Sequence, residues 1–127
     1  MNIAPQNIEN MLKADPFISQ VMVYGDRRPY PVALITVNPE ELTKFAREQG
    51  ILVNDPVVLV THPKIVERIG RTVEEKNTQL QSYAKIKKFA VLPADFTLDG
   101  GELTPTLKVK RKVVAQKYQG ALEELYR

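Results

Sequence analysis

The sequence predicts an α+β domain, a small, mostly antiparallel three-stranded sheet with helices packed on it. Three observations carry that prediction. Short runs rich in β-branched and aromatic residues fall at 21–24, 32–37 and 89–92, with the length and composition of strands. Around them, apolar residues recur at three- and four-residue intervals, the period of amphipathic helices. The first two strand runs lie close together, which suits an antiparallel hairpin with Pro29 and Pro31 confined to its loop.

In chain order, Pro5 suits a first helical turn, and Ile8, Met11 and Leu12 give residues 5–14 one apolar stripe. Asp15-Pro16 stops that helix. The strand at 21–24 ends at Gly25, and residues 26–31 connect it to the strand at 32–37. The second strand shows little alternation, which predicts that both of its faces are covered. Asn38-Pro39-Glu40-Glu41 is a helix start, with cap, proline and acids in sequence. Leu42, Phe45 and Ala46 form the inner stripe of that helix, and Gly50 ends it. Asn54-Asp55-Pro56 opens a short helical segment through Val60.

Thr61-His62-Pro63 restarts a longer helix. Ile65, Ile69, Val73 and Leu80 fall on one face, and Glu67, Arg68, Glu74 and Glu75 are expected to face water. His62 reads as a helix-start residue. Residues 83–88 form a basic connector into the third strand, which Pro93 ends. Residues 95–101 read as a turn region with room for a minor strand. The last helix carries Val113, Val114, Tyr118, Ala121, Leu122 and Leu125 on one side.

The 127 residues suit one domain, 1–127, of ordinary composition, 43% hydrophobic and 26% charged. With no cysteine, disulfides, thiolate metal sites and cysteine nucleophiles are excluded, and a reducing compartment fits. The single histidine excludes a multi-histidine metal site within the chain. Neither Ser19 nor Ser82 lies in a nucleophile-elbow pattern that could use it. No apolar run approaches the ~20 residues of a membrane span, and residues 1–6 lack the basic start and apolar core of a signal peptide. The net charge of +3 permits an anionic partner without requiring nucleic acid. There is no Trp, and the aromatics do not interleave with the basic residues as on a stacking platform.

The chain's most distinctive stretch is 100–112, a glycine turn, a threonine-rich segment and then a burst of cations. Such a burst is more often a solvated helix start than a catalytic device. Cations at a helix start, however, oppose the helix dipole, and a phosphate could supply the missing negative charge. Lys108, just before the apolar pattern of the last helix begins, is the candidate that could reach forward into a partner's cleft.

Several segments resemble the adenylate-forming enzymes, the acyl-CoA synthetases, amino-acid adenylating domains and luciferases. Ile3, Pro5, Ile8 and Glu9 match the pattern just after that family's hinge. Residues 21–26 and 33–37 resemble its next two strands, and 83–89 its connector into the third. Thr104, Thr106, Lys108, Val109 and Arg111 fall on its last signature. Leu107 replaces the usual glycine there, and Leu-Thr-Pro-Thr-Leu-Lys as a whole is similar to the long-chain fatty acyl-CoA synthetase branch. The resemblance covers essentially the entire chain and implies the small C-terminal lid domain of such a ligase, inactive alone. The absent large N-terminal adenylation domain would carry the phosphate-binding loop, the magnesium ligands and the fatty-acid tunnel.

The resemblance implies two half-reactions. A fatty-acid carboxylate attacks the α-phosphorus of ATP, with Lys108 as the catalytic cation between the two anions. The lid then rotates, and coenzyme A thiol attacks the acyl-adenylate. ATP, CoA and Mg2+ therefore belong to the full enzyme. Asn2, Ile3 and Ala4 would line the pantetheine path. Arg27 and Arg28, with Lys85, Lys87 and Lys88, could meet the CoA phosphates, although a solvated surface explains each equally well. Lys110, Arg111 and Lys112 could contact the large domain or face water. The implied location is cytoplasmic, with peripheral membrane contact open to the full-length enzyme. Two other readings are a stand-alone basic module binding RNA or another polyanion, and a free-standing domain completing a ligase in trans.

Overall fold

The computed structural model describes residues 3–127. Its elements run α1 Pro5–Lys13, β1 Ile18–Tyr24, β2 Val32–Val37, α2 Pro39–Glu48, α3 Pro56–Leu59 and α4 Pro63–Asn77. They continue with a 3₁₀ turn at Ser82–Ala84, β3 Lys88–Leu92, α5 Arg111–Lys117 and α6 Gln119–Glu124. Three helix starts share one device. Asn38, Asp55 and His62 each accept a hydrogen bond from a backbone N–H two residues on, at 3.0, 3.0 and 3.1 Å. In each case a proline follows directly, where its missing N–H costs nothing. His62 uses Nδ1 for this, so it is the helix-start residue that the sequence predicts.

The sheet order is β1-β2-β3. β1 and β2 pair antiparallel, Val21 opposite Ile35 and Val23 opposite Ala33, with an irregularity between Ile18 and Val21. β3 adds to the other edge of β2 in parallel, Val32 beside Lys88 and Ile35 beside Val91. The α+β class and the three strands match expectation, and the sheet is mixed. The second pairing is parallel because three helices cross over between β2 and β3, the long connection that parallel neighbours need.

Every residue of β2 is buried, as its lack of alternation predicts, and the polar Thr36 is buried with the rest. Ala33, Ile35 and Val37 pack with Ile8, Leu12, Ile65 and Ile69 on one face. Val32 and Leu34 pack with Phe96, Leu103, Val114 and Leu122 on the other. The first layer rests on α1 to α4. The second rests on the 96–103 segment and the two last helices, so the threonine-rich loop grows out of a packed core rather than a loose end.

Three local expectations change. The last helix is two short ones, broken at Tyr118 (φ −107°, ψ 27°). Residues 95–101 form turns and no strand; a single bridge between Leu103 and Val109 lies beyond them. Arg68 does not simply face water. Its guanidinium grips Asp15 through two bonds of 2.8 and 3.0 Å and lies 4.6 Å from the Phe17 ring centre. Burial of Asp15 favours its neutral form, but hydrogen bonds from Arg68, Thr72 and the Phe17 N–H outweigh it and hold the carboxyl at about 2. This pair ties the end of α1 to α4.

Candidate functional site

Residues 102–110 form a small hairpin. The Lys110 N–H donates to the Glu102 carbonyl at 2.8 Å, and the Thr104 N–H donates to the Lys108 carbonyl at 2.8 Å. At the tip, the Leu107 N–H closes a turn onto the Thr104 carbonyl at 2.7 Å, with Pro105 inside the turn. Leu107 itself is left-handed, φ 64°. A turn followed by a left-handed residue is a common three-residue hairpin closure, usually built with glycine. Leucine keeps the geometry at a cost of about 1–2 kcal/mol.

The threonines serve this hairpin. Thr104 Oγ1 accepts the Lys108 N–H at 3.0 Å and lies 3.1 Å from Thr106 Oγ1. The Lys108 backbone is thus held by Thr104 on both its N–H and its carbonyl. Its side chain is exposed, and among the described residues no carboxylate pairs with it. It borders a shallow groove with Gln6, Asn10 and Lys13 of α1, together with Val21 and Arg111.

Two buried carboxylates anchor the hairpin stem. Glu102 is 3% exposed. Its Oε1 accepts the Thr97 N–H at 3.0 Å, and its Oε2 lies 3.2 Å from Lys117 Nζ on α5. Gly100 leaves room beside it: a Cβ there would sit 2.9 Å from Glu102 Oε1 and 2.8 Å from Thr97 Oγ1, so these side chains would have to shift. Burial raises the pKa of Tyr118 on this side, and the Glu102 charge adds to the shift.

At the other end of the stem, Arg111 forms a fork onto Glu9, both bonds at 2.6 Å, and also donates to the Val23 carbonyl at 3.2 Å. Glu9 Oε2 in turn accepts the Val23 N–H at 2.7 Å. Arg111 therefore does not simply face water. It supplies the partner that Glu9, 6% exposed, needs.

The sequence candidates separate into two regions. Lys108 stands on the hairpin. Ile3, Arg27 and Arg28 line a different concavity, with Pro5, Gly25, Tyr30, Tyr83 and Lys87. Asn2 lies outside the described residues. Ala4 is exposed and caps α1 through its carbonyl, which accepts the Asn7 and Ile8 N–H groups at 3.0 and 3.3 Å.

Arg27 is exposed and left-handed, φ 59°. Arg28 is half-buried and lies along the surface of the last helix: it pairs with Glu123 and stacks 4.6 Å from the Tyr126 ring centre. The hydrogen bond to Glu123 raises its already high pKa, and burial pushes the Tyr126 phenol up to about 12. Lys88 Nζ bonds the Arg127 carbonyl at 3.1 Å.

Sequence reasoning missed Glu102 as an anchor of the Lys108 hairpin. The available signal was a lone acid between two glycines and a cation burst. It also placed Glu9 and Arg111 in separate motifs without joining them, because 102 positions divide them. The described residues bring together no metal-ligating cluster, and no helix among them is long and apolar enough to cross a membrane.

Residues 1–127 match a family model described as "AMP-binding enzyme C-terminal domain". The long-chain-fatty-acid–CoA ligase FadD15 of Mycobacterium tuberculosis is 43% identical over 129 residues, covering 98% of this chain and 21% of the relative. The putative fatty-acid–CoA ligase fadD11 of the same species is 37% identical, covering 98% of this chain and 22% of the relative. The chain thus spans about a fifth of the length of these curated relatives.

Among solved structures, the A-PCP didomain of carboxylic acid reductase from Segniliparus rugosus, in complex with AMP, superposes with a TM-score of 0.75 at 26% identity. That match covers 98% of this chain and 16% of the other. The adenylation domain of a carboxylate reductase from Mycobacterium chelonae superposes with a TM-score of 0.71 at 28% identity, covering 98% of this chain and 18% of the other.

Proposed function

The chain belongs to the family of AMP-binding enzyme C-terminal domains, and we propose that it is the lysine-bearing lid of an AMP-forming long-chain fatty acid–CoA ligase. Two relatives named as fatty-acid–CoA ligases, each about five times longer, support that class and a large N-terminal partner domain. The observation that carries the reading is the Lys108 hairpin, a cation with its backbone fixed, no carboxylate partner among the described residues and its stem anchored at Glu102 and Glu9.

In the first half-reaction, a carboxylate oxygen attacks the α-phosphorus of ATP and pyrophosphate leaves. Two anions must approach, and negative charge builds on the phosphorus oxygens. The Lys108 ammonium, presented to the large domain's cleft, lowers the repulsion and stabilises that charge. The unpaired side chain makes this inexpensive, because no ion pair has to break before it enters the cleft. The rigid stem keeps the reorganisation cost low. No nucleophile is required of the protein, since the substrate carboxylate is itself the nucleophile. Magnesium accompanying ATP is assigned to the large domain.

In the second half-reaction, the lid rotates and the CoA thiol displaces AMP. The concavity holding Ile3, Arg27 and Lys87 is the face assigned to CoA, with Arg27 and Lys87 facing its phosphates. Arg28 contributes chiefly by holding the last helix, through Glu123 and Tyr126. The test is to assay thioester formation from fatty acid, ATP and CoA with the whole chain carrying this domain, and with the large domain alone. The reading predicts turnover only when the lid is attached. Equal turnover without it would remove the lid from the reaction.

A further inference from the structure

We infer that Glu102 and the Glu9–Arg111 pair are positioning groups for Lys108, and that they act on adenylate formation rather than on thioester formation. The inference rests on the assignment of Lys108 above. The hairpin that carries Lys108 begins at the buried Glu102 and leads out into Arg111, which is forked onto the buried Glu9. On the entering stem, Glu102 joins three elements at once. Its side chain takes the Thr97 N–H and faces Lys117 of α5, and its carbonyl takes the Lys110 N–H across the stem. On the leaving stem, Arg111, three residues after Lys108, is forked onto Glu9 of α1, and both hold the backbone of Val23 in β1.

The arrangement is costly as mere scaffolding. Glu102 Oε2 is buried, has no well-formed hydrogen bond, and depends on Lys117 for compensation. An apolar residue could fill a stem position without that burden. What the carboxylates add is direction, because a forked guanidinium–carboxylate pair fixes angle as well as distance. The lysine then moves with the body of the domain and not as a free loop. A chemical step that needs the ammonium between carboxylate and α-phosphate depends on such placement. The second step, for which the lid has rotated away, does not.

The test uses the whole ligase chain with Glu102→Gln, Glu9→Gln, Arg111→Lys and Lys108→Ala, and Glu74→Gln as an exposed control. Adenylation is followed by pyrophosphate release in a single turnover. Thioester formation is followed separately from supplied acyl-adenylate and CoA, and unfolding temperatures are recorded for every variant.

The expected result is a loss of ~10–100-fold in adenylation kcat for the two glutamine variants, with the KM for ATP and the thioester step each within about twofold. Arg111→Lys, which keeps charge but not the fork, should fall between those variants and the unaltered enzyme. Loss of both half-reactions in proportion to unfolding temperature would mean a structural role only and overturn the inference. Unchanged adenylation in both glutamine variants, with Lys108→Ala impaired, would overturn it while leaving the lid reading standing. Unchanged adenylation in Lys108→Ala would bring down the lid reading and this inference together.

Discussion

Glu9 and Arg111, 102 positions apart, meet through two bonds of 2.6 Å, and the carboxylate also holds the Val23 N–H at 2.7 Å. The first helix α1, the edge strand β1 and the start of α5 are joined at this one point. Glu9→Ala would strand the guanidinium and an edge-strand N–H together. Arg111 remains 40% exposed on its side chain, so water can recover part of the loss. The expected destabilisation is ~2–3 kcal/mol, read from urea unfolding. A change below ~0.5 kcal/mol would show that the pair does not hold the fold.

The Asp15 carboxyl, held at about 2 against an ordinary value of 3.8, links stability to acid. The folded state favours the ionised form, so the contribution is complete above roughly pH 5 and is lost as the pH falls through about 2. Asp15→Asn should cost ~1–2 kcal/mol at pH 7, after allowing for solvent screening. The difference from the unaltered protein should shrink from about pH 5 and close only below about pH 2. Parallel stability curves from pH 7 down through pH 2 would contradict the assignment.

Leu107 carries a left-handed backbone, φ 64°, a conformation usually left to glycine. Leu107→Gly removes the steric strain but adds freedom to the unfolded chain, for a net gain of ~0.5–1 kcal/mol. Leu107→Val, branched at Cβ, should lose at least about 1 kcal/mol. Thermal unfolding of the two variants distinguishes them by sign.

Gly100→Ala should unfold more easily by ~1–3 kcal/mol, as overpacked sites do, because its Cβ would press on both Glu102 Oε1 and Thr97 Oγ1. Gly120→Ala is the matched control, since a Cβ there meets nothing within 4 Å and it lies inside α6, where alanine is favoured. Equal losses at the two glycines would contradict the packing described around Glu102.

Much of this was legible in the chain. The scant alternation of β2 announced burial on both faces, and proline after Asn38, Asp55 and His62 marked three helix starts. What local patterns could not show was the partner of each charge. Arg68 and Arg111 look solvated by spacing alone, because their carboxylates, Asp15 and Glu9, are brought to them only by the packing of α1. Arg28 reads as a surface cation for the same reason, although it lies against Glu123 and Tyr126. The parallel pairing of β3 follows from the helical crossover and not from the strand's own residues. The break at Tyr118 has no proline or glycine at that residue to announce it. For the site, the cation burst pointed to Lys108, but its anchors are contacts made at a distance in sequence.

The most direct test of Lys108 as the adenylating cation separates the two half-reactions in the whole ligase chain. Lys108→Ala should slow acyl-adenylate formation by ~10²–10³-fold, the usual loss on removing one such electrostatic donor. It should also convert supplied acyl-adenylate and CoA to thioester within about twofold of the unaltered rate. An unchanged rate of adenylate formation, or an equal loss in both half-reactions, would contradict it.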